Sequence, residues 1–70
     1  MVEKKEITTS EILSLIDEYV HNERDRHLLK RRLVDGIIFE DLAEEFDLSV
    51  RQTKRIVYRE SEKIFKNIIN

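Results

Sequence analysis

A chain with no proline and a single glycine, Gly36, contains very little that can stop a helix once it has started. Its apolar residues recur at spacings of three and four, the period that lays side chains along one helix face. Short interruptions fall at His21-Asn22, Asp35-Gly36 and Asp47-Leu48. They divide the 70 residues into four helices and no strand. The expected class is all-α: one small four-helix domain over residues 1–70, with 1–8 a disordered or frayed start. A chain of this size builds a core that is only marginally stable, and with no cysteine no disulfide or thiolate metal site can staple it.

The local signals set the boundaries. Thr8 and Glu11 have capping-box spacing and open a first helix from about Thr9 to Val20, with Ile12, Leu13, Leu15, Ile16, Tyr19 and Val20 as its apolar face. Asn22 caps a second helix, roughly Glu23 to Val34, which buries Leu28, Leu29 and Leu33. Gly36 is its natural left-handed terminator. A third helix, Phe39 to about Phe46, turns Leu42, Ala43 and Phe46 inward, and Asp47-Leu48 makes a tight turn with Leu48 pointing back to the core. Ser49 and Gln52 repeat the capping-box spacing and start a long fourth helix, expected to run to about Asn67 with Ile56, Val57, Ile64, Phe65 and Ile68 as its stripe. The order of parts from Phe39 to Ile56 is that of a helix-turn-helix, whose second helix enters a DNA major groove.

Charge is distributed unevenly. The formal net charge is −2, yet residues 37–48 hold five acids and no base, whereas 49–70 hold six bases and two acids. A second basic segment spans Arg24 to Arg32. Such asymmetry fits one phosphate-facing surface, and equally an ordinary solvated charged helix. No apolar run is long enough to span a membrane, and MVEKKE lacks the apolar core of a signal peptide, so a cytoplasmic chain is expected. Met1 suggests an intact reading frame.

From Asn22 to Phe65 the chain reads NERDRHLLKRRLVDGIIFEDLAEEFDLSVRQTKRIVYRESEKIF, and this stretch resembles region four of bacterial sigma factors, the part that binds the −35 promoter element. The resemblance rests on Arg24-Asp25-Arg26, Gly36, the run Phe39-Glu40-Asp41-Leu42-Ala43-Glu44, the turn Phe46-Asp47-Leu48-Ser49 and the basic helix that follows. It implies an all-α fold with the fourth helix in the major groove, and base-facing positions at Val50, Arg51, Lys54 and Arg55. It also implies a second partner, RNA polymerase, in which case the acidic surface and Ile37, Ile38, Ile68 and Ile69 would matter most. Two features depart from the family. Ile38 stands where a Thr or Ser usually caps the helix, and Val50, Arg51 and Arg55 differ from housekeeping-type residues, so a standard −35 target is not expected. The upstream sigma regions that bind the −10 element are lacking. The chain is similar as well to output domains of the LuxR type, which implies a homodimer through the last helix.

Arginine's planar fork matches the O6 and N7 acceptors of guanine, and Arg51 and Arg55, four apart, share one helix face. Ser49, Gln52, Tyr58 and Arg59, with Arg24 and Arg31 on the second helix, are expected at the DNA backbone, and Lys54, base-facing by resemblance, extends the basic side toward phosphates with Arg59; Ser49 adds the helix's first amides, and Gln52 doubles as a cap. The competing reading pairs Arg51 and Arg55 with Glu44, Glu45 or Glu60, and makes Tyr58 a core-edge residue. His21 and His27 are six apart and have no clustered ligands, so neither a metal nor any other cofactor is expected. Glu40, Asp41, Glu44 and Glu45 suit the start and outer face of a helix better than a carboxylate site. The expectation is therefore not an enzyme but a sequence-specific regulator of transcription that binds double-stranded DNA.

Overall fold

The computed structural model describes residues 8–69, with side chains described as far as Lys66. Four helices follow one another: α1 (Thr9–Tyr19), α2 (Glu23–Leu33), α3 (Phe39–Glu45) and α4 (Val50–Ile69), with no strand among the described residues. None of these helices is long and apolar enough to cross a membrane.

The helix ends follow local chemistry. Thr8 Oγ1 accepts the Glu11 N–H at 3.2 Å while Glu11 Oε1 accepts the Thr8 N–H at 3.3 Å, so two of the four orphan donors at the start of α1 are used. Thr8 is thus the ordered cap of α1 and not part of a frayed start; residues 1–7 lie outside the described residues. At the other end of α1 the Arg26 guanidinium donates to the Val20 carbonyl at 2.6 Å, satisfying an acceptor that the helix itself leaves open. Asn22 Oδ1 takes the Asp25 N–H and starts α2.

Gly36 has φ +70°, in the left-handed region that costs a side chain strain. That turn lets the Ile37 N–H donate to the Arg31 carbonyl at 3.2 Å. Ile38 precedes α3 without any side-chain cap and is 53% exposed, as its departure from a Thr or Ser cap implies. Between α3 and α4 the left-handed residue is Asp47, at φ 56°. It brings the Leu48 N–H onto the Ala43 carbonyl at 2.8 Å and folds Leu48 against the core.

Ile16, Val20, Leu28, Leu29, Ile56, Val57 and Ile64 form the core cluster, and Leu42 and Ala43 are buried as well. Leu33, expected inside, is only partly buried at the edge of that cluster. Phe65, expected in the apolar stripe of α4, is 42% exposed. Ile68, and the apolar C-terminal tail it shares with Ile69, has its side chain outside the described residues. The positions a continuous stripe would use are held partly by polar residues, since Thr53, Glu60 and Ser61 are all buried. Thr53 donates to the Ser49 carbonyl at 2.9 Å, which satisfies its hydroxyl inside the first turns of α4.

Candidate nucleic-acid interface

The first turns of α4 carry the residues assigned to bases. Ser49 closes a reciprocal cap with Gln52: Ser49 Oγ accepts the Gln52 N–H at 3.1 Å, and Gln52 Oε1 accepts the Ser49 N–H at 3.0 Å. Both side chains are thereby engaged in starting the helix, which is the capping role foreseen for Gln52. Thr53, Ile56 and Val57 face inward, so Arg51, Lys54 and Arg55 are left on the solvent side. Val50 is partly buried at the base of this face.

The arginines fall into two groups. Arg24 places Nε and Nη2 on Asp25 Oδ1 at 3.2 and 3.1 Å. Arg26 holds backbone carbonyls, and Arg32 donates to the Ile37 carbonyl at 2.9 Å. Arg31 forks onto both oxygens of Glu45, at 2.9 and 3.1 Å, and reaches Asp35 at 3.0 Å. The Glu45 bond above all, and then Asp35, hold the Arg31 guanidinium protonated more firmly than usual. Arg59 bridges Asp25 and Glu60. Only Arg51 and Arg55 make no hydrogen bond or ion pair among the described residues. Of the three carboxylates that could have neutralised them, Glu45 is taken by Arg31 and Glu60 by Arg59 and Lys63, while Glu44 makes no ion pair with either arginine.

Two cations approach the Phe39 ring. Arg32 sits 4.2 Å from the ring centroid and Lys54 Nζ 5.6 Å, within the range of cation–π attraction. Tyr58 meets the same ring edge-on at 6.0 Å yet is 61% exposed, more open than a core-edge tyrosine. Phe39 therefore leans Lys54 toward α3, while Arg51 and Arg55 project from the outer face. This platform leaves no mark in the sequence, because Phe39 and Lys54 meet only when α3 crosses α4.

Three of the expected backbone contacts, Arg24, Arg31 and Arg59, are thus already paired with acids of their own chain. The remaining surface is less suggestive. A shallow hollow of about 250 Å³ beside Glu23, Arg26, His27 and Lys30 has its cations engaged, Arg26 by carbonyls and Lys30 by Asp17 at 3.2 Å. His27 packs edge-on against Phe46, with ring centroids 5.4 Å apart. Among the described residues, no three His, Cys, Asp or Glu side chains gather where they could hold a metal. Comparison with family models, curated proteins and solved structures finds no match to the chain.

Proposed function

We propose that the protein is a sequence-specific, double-stranded DNA-binding regulator of transcription, similar to region four of sigma factors, that inserts the helix starting at Ser49 into the major groove. One observation carries this reading: of the seven described arginines, the two without a partner among the described residues, Arg51 and Arg55, lie one turn apart on the outer face of α4. An unpaired arginine pair on the second helix of a helix-turn-helix is placed to meet guanine edges. Lys54 and the free amides at the start of α4 supply phosphate contacts that orient the helix. The protein has no catalytic role in this reading.

A random-sequence DNA selection with the purified chain at moderate salt tests it. Enrichment of a short motif containing guanine is the expected result. Flat enrichment removes the DNA reading and favours the alternative, docking onto RNA polymerase or another transcription protein, for which the 53% exposed Ile38 is the supporting feature.

A further inference from the structure

Asp25 and Glu60 are the two buried carboxylates of the described chain, 3% and 4% exposed, and Arg59 touches both. Its Nη2 reaches Asp25 Oδ2 on α2 at 3.3 Å, and its Nε reaches Glu60 Oε1 one residue along α4 at 3.0 Å. Arg24 and Lys63 complete the set, on Asp25 Oδ1 and on Glu60. Carboxylates withdrawn from water this far require charged donors, and removing one donor leaves charge stranded. Arg59 is also one turn beyond Arg55 and two beyond Arg51, on the same helix. Whatever fixes Arg59 against α2 therefore fixes the direction in which the two unpaired arginines point.

We propose that Arg59 is a positioning residue: bridging Asp25 and Glu60, it ties α4 to α2 at the angle that presents Arg51 and Arg55, and it is not a contact to the DNA backbone. The proposal rests on the DNA-binding reading for what is presented, and on the packing alone for the tie. Arginine suits the role because one fork serves two carboxylates on different helices, which the single ammonium of lysine does not reproduce.

The experiment uses the full chain as wild type, Arg59→Ala, Arg59→Lys, Asp25→Asn and the Arg59→Ala/Asp25→Asn double variant. Each is followed by denaturant unfolding and by titration with its selected DNA site and with random DNA across salt concentrations. For Arg59→Ala the unfolding constant is expected to rise about tenfold, with the double variant no worse than the worse single one. The affinity ratio of selected over random DNA is expected to fall about fivefold in Arg59→Ala, in Arg59→Lys and in Asp25→Asn, with the salt slope unchanged. Asp25→Asn is decisive, because a buried acid cannot touch DNA, and removing negative charge would otherwise favour binding. Arg59→Lys keeps the fold and the charge should Arg59→Ala not fold. A phosphate contact predicts the opposite set: a slope shallower by about 0.9 in Arg59→Ala, and an unchanged ratio in both Arg59→Lys and Asp25→Asn. That set, or additive unfolding effects of the two single variants, overturns the proposal. A wild-type chain without sequence preference would remove the DNA reading and the presenting role with it, while the unfolding cycle would still decide the tie.

Discussion

At the scale of single residues, what separates the cations of this chain is the company each keeps and not their number. Arg51 and Lys54 both stand on the exposed side of α4, but Lys54 is drawn toward the Phe39 ring and carries a point charge, whereas Arg51 has a free fork. Arg51→Ala is accordingly expected to lose about 1–3 kcal/mol of discrimination at one base pair while leaving random-sequence binding nearly intact. Lys54→Ala is expected to weaken all sequences alike and to flatten the salt slope by about one. Competition titrations against single-base variants of the selected site measure both effects. Equal losses on every sequence for Arg51→Ala would place that side chain at a phosphate.

At the scale of elements, α3 is the least secured helix. It spans seven residues, and its N-cap, Ile38, supplies no side-chain acceptor. Ile38→Thr is expected to stabilise the chain by about 0.5–2 kcal/mol, read as a rise in the urea midpoint at constant slope. A drop would show that the exposed isoleucine packs better than its 53% exposure suggests. Gly36→Ala tests the turn before α3. An added Cβ meets nothing within 4 Å, so the expected cost of about 1–2 kcal/mol comes from the left-handed backbone alone. The same unfolding measurement checks it, and no loss would mean that φ relaxes freely there. These ends were legible in the sequence because caps and glycine turns act over three or four residues: Thr8-Glu11, Asn22, Gly36 and Ser49-Gln52 all hold the positions their spacing implies. The turn at Asp47 was legible in place but not in conformation, since a left-handed aspartate has no marker comparable to glycine. The buried pair of Asp25 and Glu60 was not legible at all. Asp25 finds Arg59 34 residues away, and its burial depends on α2 lying across α4. For the same reason Arg59, Arg24 and Arg31 looked like free basic residues in the sequence: pattern reveals which face a residue occupies, not which acid crosses over to meet it.

At the scale of the whole molecule, α2 is the hub of the charge pairing. Lys30 joins it to Asp17 of α1, Arg31 to Glu45 of α3, and Asp25 to Arg59 of α4. The two more exposed of these pairs add little stability each, but all three withdraw cations from the surface pool. The consequence for a chain of net charge −2 is quantitative. If DNA meets only the start of α4, at most Arg51, Lys54 and Arg55 neutralise phosphates and displace counterions, and fewer where the arginines read bases. The slope of log K against log salt is then expected to be about −3 or shallower, at roughly 0.9 per phosphate neutralised. Raising salt from about 50 to 200 mM should thus weaken binding by no more than about sixtyfold. A slope near −6 would require cations beyond the start of α4: Arg26 and Arg32, which meet carbonyls and no acid, or Arg24, Arg31 and Arg59 drawn off Asp25, Glu45 and Glu60. In the second case Asp25 and Glu60 would be left buried with fewer donors, at a cost that binding would have to overcome. A slope near −3 in the salt titration of the wild-type chain is therefore the expected mark of a surface preformed at the start of α4, which the closed pairing around Asp25 and Glu60 favours.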